Sequence, residues 1–167
     1  MPILSPDALE FISRSPEQTR RVGARLGMLL EGGEIVALEG NLGTGKTVLA
    51  QGIGIGWGVT AQLLSPTFIL IRRHTRHQDN RYFYHIDLYR IASVQEAVDL
   101  GLEELLGNPG AVCVVEWAER AAEIFPKETL WVSLRWMDEY RRSLTFRAAG
   151  EQHQVILEKF RKEIIGY

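Results

Sequence analysis

The chain has 167 residues, of which 46% are hydrophobic and 24% are charged, and its formal net charge is −2 at pH 7. These values fit one folded domain spanning residues 1–167 with a core of its own. The near-neutral balance provides no overall attraction to nucleic acid or to an anionic membrane. No apolar run approaches the roughly 18 residues of a membrane span, and no basic segment precedes an apolar stretch at the N-terminus. We therefore expect a cytoplasmic protein, monomeric when alone, and the single cysteine, Cys113, excludes a disulfide scaffold.

A helix and a buried strand are the first predicted elements, and they lead into a glycine-rich loop. Ser15 is placed as a helix N-cap, followed by proline at the first helical position and by glutamine at the third, which completes a capping box. The apolar residues 35–38 predict a short strand that is buried on both faces. A second helix should begin near Lys46, and the glycines between residues 52 and 58 lead us to expect that it is short.

Alternating and clustered apolar residues predict the remaining elements. Residues 68–71 and 82–88 are expected to form an antiparallel hairpin, with the polar stretch 72–80 at its tip. A helical pattern covers residues 94–106 and ends at the Asn-Pro-Gly sequence 108–110. The further predictions are a buried strand at 112–115, a short helix at 118–124, strands at 130–136 and 143–146, and a final helix at 152–165.

Residues 40–47, GNLGTGKT, match the G-x-x-x-x-G-K-[ST] pattern of phosphate-binding loops, between a predicted strand and a predicted helix. In such a loop the glycines turn backbone N–H groups towards phosphates, and the helix N-terminus adds the positive end of its dipole. The Lys46 side chain should reach the β- and γ-phosphates, and the Thr47 hydroxyl is placed to join Mg²⁺. The predicted nucleotide-binding residues are Asn41, Leu42, Gly43, Thr44, Gly45, Lys46 and Thr47.

Two carboxylates at the ends of predicted strands are candidates for binding the metal or orienting the attacking water. Glu116 directly follows the strand at 112–115, and Asp87 lies at the end of the strand at 82–88. Either residue alone could instead cap a helix or pair with an arginine. The pattern predicts an α/β fold of the P-loop NTPase class: a mixed, mainly parallel sheet with helices on both faces and added antiparallel strands.

Other polar and aromatic residues are interpreted more simply. His85 is taken as a packed, hydrogen-bonded side chain without a catalytic role. Trp117 could stack on a base, but aromatic residues at strand ends are usually core or partner contacts, and the other tryptophans are interpreted as packing residues. The basic stretch is interpreted as a solvated hairpin tip, with contact to RNA phosphates as the alternative; it comprises Arg72, Arg73, His74, Arg76, His77 and Arg81.

Three blocks taken together resemble the TsaE family, bacterial ATPases of tRNA N6-threonylcarbamoyladenosine biosynthesis. They are the loop at 40–47, SPTF at 65–68, and YHIDLYR at 84–90 followed by VEW at 115–117. The similarity spans nearly the whole chain. It implies ATP hydrolysis in support of a complex of TsaB and TsaD, in which TsaD modifies adenosine in tRNA, so that contact of this chain with tRNA would be indirect.

The resemblance also implies roles for individual residues. Lys46 and the loop would hold the phosphates, Thr47 and Glu116 would hold Mg²⁺, and Asp87 would help to position water, so that Lys46, Asp87 and Glu116 are the predicted catalytic residues. Asn41 stands where the family commonly has aspartate. The segment expected to act as a nucleotide-sensing switch consists of Ser65, Pro66 and Thr67.

Two alternative functions remain open from the sequence. A nucleotide-gated interaction module would bind ATP through the same loop without significant turnover. A small-molecule kinase would need lid arginines, for which Arg141 and Arg142 are candidates. Because the chain contains no Asn-Lys-x-Asp block of the kind that guanine-specific enzymes usually carry, adenine is the expected base.

Overall fold

The computed structural model of the protein describes residues 7–60 and 70–164. Its strands are β1 (Ala8–Ser13), β2 (Ile35–Glu39), β3 (Ile71–Thr75), β4 (Tyr82–Asp87), β5 (Ala111–Glu116), β6 (Leu130–Trp136) and β7 (Arg142–Ala148). They form a seven-stranded sheet in the order β1-β7-β6-β2-β5-β4-β3. The four central strands, β6, β2, β5 and β4, are parallel, whereas β3, β7 and β1 join by antiparallel pairing. The prediction of a mixed sheet with added antiparallel strands is confirmed.

Helices cover both faces of this sheet, as predicted. They are α1 (Pro16–Leu29), α2 (Lys46–Trp57), α3 (Val94–Asp99), α4 (Leu102–Leu106), a 3₁₀ helix (Ala118–Ile124) and α5 (Glu151–Ile164). One apolar core lies between the sheet and α1, α2 and α5, and a second lies between the sheet and α3, α4 and the 3₁₀ helix. In the described part of the chain, no helix is both long and apolar enough to cross a membrane.

The N-terminus of α1 is capped as the sequence predicts. The Ser15 hydroxyl accepts a hydrogen bond from the backbone N–H of Gln18 at 3.0 Å. The Gln18 side chain in turn accepts from the backbone N–H of Arg14 at 2.7 Å, one residue before the expected partner in a capping box. Two backbone donors are therefore satisfied at the start of α1, which fixes where this helix begins.

Helix α2 is longer than the glycines led us to expect, because it continues through them to Trp57. The reason is the close approach of α1. A Cβ atom added at Gly52 would lie 2.3 Å from the Arg20 carbonyl oxygen, and one added at Gly56 would lie 2.0 Å from that of Ala24. Glycine is required where two helix backbones meet at this distance. The packing holds α2, and with it the end of the glycine-rich loop, against α1.

Besides α2, three elements differ from the sequence prediction. Strand β1 was not predicted; it pairs with β7, which lies about 130 residues further along the chain. The first hairpin strand is Ile71–Thr75 rather than residues 68–71, of which 68 and 69 lie outside the described residues. The single helix predicted at 94–106 is split into α3 and α4, since Gly101 has a φ of 78° and interrupts the helical backbone.

Candidate functional site

The glycine-rich loop, residues 40–47, lies at the carboxyl edge of the parallel strands, between β2 and α2. It borders a cavity of about 610 Å³. Gly40 begins the loop with a φ of 147°, and a Cβ atom there would lie 2.4 Å from the Leu134 carbonyl oxygen, so only glycine fits. Gly45 precedes α2 without a side-chain cap. Backbone N–H groups at the start of α2 are therefore left for a ligand, in the position where helices bind anions.

Lys46 is folded onto the loop and is only 5% exposed. Its Nζ atom donates to the carbonyl oxygens of Gly40 at 2.6 Å and of Asn41 at 2.8 Å. Burial lowers the pKa of Lys46, while the nearby carboxylates of Glu116, Glu119 and Asp87 oppose that shift. Asn41 enters these contacts through its backbone carbonyl. These hydrogen bonds therefore do not depend on which side chain stands at position 41.

Thr47 and Glu116 are in direct contact, as the predicted site requires. The Thr47 hydroxyl donates to Oε1 of Glu116 at 2.7 Å. The second carboxylate oxygen, Oε2, is hydrogen-bonded to Nε2 of His85 at 2.6 Å. Glu116 is 2% exposed and His85 is fully buried. The interpretation of His85 as a packed, hydrogen-bonded residue is confirmed, but its partner is a predicted site residue, which the sequence did not indicate.

Asp87 lies beside Glu116, because the two are partners in the parallel register of β4 and β5. The Asp87 side chain lines the cavity, and its Oδ1 atom accepts from the backbone N–H of Tyr89 at 2.9 Å. Burial raises the pKa of Asp87; the hydrogen bond from Tyr89 opposes this shift and the charge of Glu116 adds to it. The structure thus brings Lys46, Thr47, Asp87 and Glu116 to one cavity.

Trp117 contacts the site directly. Its backbone is in the left-handed region, with φ 58° and ψ 36°, which is unusual for a bulky residue and is typical of functional sites. This conformation places the indole ring 4.1 Å from Nζ of Lys46, within the range of a cation–π contact. The Tyr89 ring packs against the indole at 5.0 Å, and the Arg120 guanidinium lies 5.0 Å from it.

Another part of the cavity lining was not predicted from the sequence as part of the ATP site. It is formed by Arg14, Ser15 and Pro16 at the start of α1, by Glu139 and Tyr140 in the turn between β6 and β7, and by the first residue of β7. At the start of β7, Arg142 donates from Nε to the Gly43 carbonyl oxygen at 3.2 Å. The Ser15 N-cap was the available indication, since it marks the α1 terminus, but its place beside the loop follows from the packing of α1 on α2, which the sequence did not reveal.

The remaining predicted residues are placed as follows. The switch residues Ser65, Pro66 and Thr67 lie outside the described residues. The basic stretch is not simply a hairpin tip, since its first three residues belong to β3. Arg76 bonds Asp79 at 2.6 Å and stacks 3.7 Å from the Trp57 ring, so part of the positive charge is used within the protein.

Two of the tryptophans interpreted as packing residues have different environments, and so do the two candidate lid arginines. Trp57 is buried, but Trp136, interpreted from the sequence as a packing residue, is 60% exposed. Of the two candidate lid arginines, Arg141 is paired with Asp138 at 2.7 Å, and Arg142 contacts the glycine-rich loop. Of these two arginines, only Arg142 lines the cavity.

The donor groups in the cavity fit a magnesium nucleotide. A hydroxyl oxygen and carboxylate oxygens are the hard ligands that Mg²⁺ prefers, and the uncapped N–H groups at the start of α2 are of the kind that bind phosphate oxygens. Among residues 7–60 and 70–164, no group of three or more His, Cys, Asp or Glu side chains could hold a metal ion. A magnesium ion at Thr47 would therefore depend on oxygen ligands from a nucleotide and from water.

The sheet order and the strand–loop–helix unit define the P-loop NTPase fold, and a solved structure supports this class. The crystal structure of Bacillus subtilis YdiB superposes with a TM-score of 0.75 at 28% sequence identity, over 93% of this chain and 95% of that one.

Sequence comparison narrows the class to a family. The family described as "Threonylcarbamoyl adenosine biosynthesis protein TsaE" matches residues 13–144. A TsaE protein of Treponema pallidum is 39% identical over 137 residues, covering 82% of this chain and 98% of the relative. That of Bacillus subtilis is 33% identical over 151 residues, covering 90% and 92%. The chain belongs to the TsaE family, whose role is in tRNA threonylcarbamoyladenosine biosynthesis.

Proposed function

We propose that the chain binds ATP with Mg²⁺ on the glycine-rich loop and hydrolyses it in support of a TsaB–TsaD complex. The observation that carries the proposal is the contact of Thr47 with Glu116 at 2.7 Å, beside Lys46 and Asp87, on the wall of one cavity. This is the arrangement that phosphoryl transfer requires, since its catalysis depends on positioning and on electrostatic stabilisation.

Each residue of the site has a role that follows from its chemistry. The uncapped N-terminus of α2 and Lys46 hold phosphate oxygens. To do so, Lys46 exchanges its bonds to the Gly40 and Asn41 carbonyls for bonds to phosphate. Thr47 and Glu116 hold the metal, which when bound neutralises charge on the phosphates. Asp87 orients the attacking water at the cavity wall, and its raised pKa is suited to accepting a proton.

The rest of the cavity has room for the nucleoside. Pro16 and Tyr140 offer apolar surface in the cavity lining, and Arg142 contributes positive charge. We place the adenosine here, next to the start of α1. The partner complex, TsaB with TsaD, acts on tRNA, and this chain contacts tRNA only through that complex in the cytoplasm.

The test is ATP hydrolysis by the purified chain, measured alone and with the TsaB–TsaD complex. Turnover is expected to be slow alone and to rise with the complex, since P-loop proteins that lack a supplied arginine are often slow. Lys46→Ala should abolish turnover in both cases. Lys159→Ala is the matched control, because this lysine is exposed on α5, and it should behave as the wild type.

Two outcomes would change the conclusion. Tight ATP binding without turnover, alone or with the complex, would support the nucleotide-gated module in place of the ATPase. Unchanged turnover in Lys46→Ala would show that the measured activity does not come from this loop.

A further inference from the structure

The proposed site does not by itself explain why a histidine is buried beneath it. His85 lies on β4, two residues before Asp87, and because side chains alternate along a strand both project from the same face of the sheet. Its Nε2 atom lies 2.6 Å from Oε2 of Glu116 on the adjacent strand β5. Both side chains are almost completely shielded from solvent, with 0% and 3% exposure.

The Glu116 carboxylate is therefore held through both oxygens by two different elements. Thr47, in the first turn of α2, binds Oε1, and His85, on β4, binds Oε2. A single bond from Thr47 would leave the carboxylate free to rotate about its last torsion angle, which is broad in glutamate. The second bond fixes the plane of the carboxylate and determines which oxygen faces the loop.

The other nitrogen of the His85 ring indicates that the Glu116 contact is the reason for a histidine here. Within the described residues, Nδ1 is buried and has no hydrogen-bond partner. A buried polar atom without a partner lowers stability, and an aliphatic side chain would fill the same space without that cost. Packing alone therefore does not favour histidine at this position, whereas a donor for Glu116 does.

We propose that His85 is a positioning residue, which occupies Oε2 of Glu116 so that Oε1 alone faces Thr47 and the metal of the bound nucleotide. This inference rests on the proposed nucleotide site. In many metal sites, a residue that does not touch the metal forms a hydrogen bond to a metal ligand and thereby orients that ligand. We assign this role to His85.

The experiment measures ADP binding by calorimetry in excess MgCl₂ and in EDTA, and takes the ratio of the two affinities. His85→Leu fills the space without a donor, and we expect the ratio to fall about 10–100-fold, as for other residues that orient metal ligands. The affinity in EDTA should stay at the wild-type value, because the phosphate contacts of the loop do not involve His85. In the Glu116→Gln background, His85→Leu should cause no further loss.

A second pair of variants keeps the test valid if His85→Leu does not fold. The side-chain amide nitrogen of glutamine can reach the position of the His85 Nε2 atom. The amide nitrogen of asparagine is one bond closer to the backbone, so it lies near the position of Nδ1 instead. We expect His85→Gln to retain most of the magnesium dependence and His85→Asn to lose it, at similar melting temperatures. Equal magnesium dependence in the two variants would overturn the proposal.

The two proposals fail in different ways. If His85→Leu keeps the wild-type affinity ratio while Glu116→Gln loses it, the metal site stands and the role of His85 is wrong. If Lys46→Ala and Glu116→Gln both bind ADP as the wild type does in MgCl₂, the proposed nucleotide site itself is wrong, and the inference about His85 falls with it.

Discussion

Replacing Gly52 by alanine should lower stability, although alanine is the better helix former. A Cβ atom at this position would lie 2.3 Å from the Arg20 carbonyl oxygen, a distance that real Cβ atoms essentially never show. Overpacking costs about 1–3 kcal/mol, and the upper end applies because the obstructing atom belongs to the backbone of α1. The gain in helix propensity recovers about 1 kcal/mol. The net loss is about 2 kcal/mol, which lowers Tm by about 4–8 °C in a chain of this size.

The assay is thermal unfolding followed by circular dichroism, with Gly107→Ala as the control. Gly107 has a φ of −90°. The nearest atom to an added Cβ there is 3.5 Å away, an ordinary contact. Alanine should therefore change Tm little at this position. ADP affinity should also fall in Gly52→Ala, since α2 carries Lys46 and Thr47 in its first turn. A Tm of Gly52→Ala equal to or above that of the wild type would refute the argument.

Three further predictions concern the cap of α1, the half-buried Asp87 and the cysteine. Ser15→Ala removes the acceptor for the Gln18 N–H and should cost about 1 kcal/mol, seen as a lower urea midpoint with an unchanged m-value. Burial raises the pKa of Asp87 in the folded protein. Its ionisation therefore lowers the stability of the fold as the pH rises above about 3.9, the pKa of aspartate in an unfolded chain. Asp87→Asn should then raise Tm at pH 7, and a gain that does not shrink towards pH 4 would contradict this. Burial raises the pKa of Cys113 to about 12, so iodoacetamide should label it at pH 8 only in urea, as measured by mass spectrometry.

Most of the sheet could be predicted because its central strands carry local patterns. Strands β2 and β5 are buried on both faces and appear as continuous apolar runs, which only a covered parallel sheet accommodates. Strand β1 could not be predicted in the same way, since it exists through pairing with β7 at the far end of the chain. The glycines of α2 misled the prediction for a related reason: their effect on the helix depends on the neighbouring α1 backbone.

For the candidate site too, features with a local sequence pattern were predicted and contacts between strands were not. The glycine-rich loop and Glu116 were predicted from local patterns, a motif and a strand end, and the structure brings them together at one cavity. The contact of His85 with Glu116 joins two strands that are adjacent in the sheet but distant in the chain. The alternation of side chains already placed His85 and Asp87 on one face of β4. What the sequence lacked was the identity of the neighbouring strand.

The packing of α1 on α2 and the chemistry of the site are connected through one helix, α2. Thr47 belongs to the first turn of α2, and Glu116 is bonded both to it and to His85 on β4. A shift of α2 away from α1 therefore moves Thr47 relative to a carboxylate that β4 and β5 hold in place. Gly52→Ala should weaken ADP binding more in MgCl₂ than in EDTA, because the bond from Thr47 to Glu116 is disturbed while the loop moves with its helix. Equal weakening in both conditions would indicate that the loop as a whole is distorted, and would separate the helix packing from the metal site.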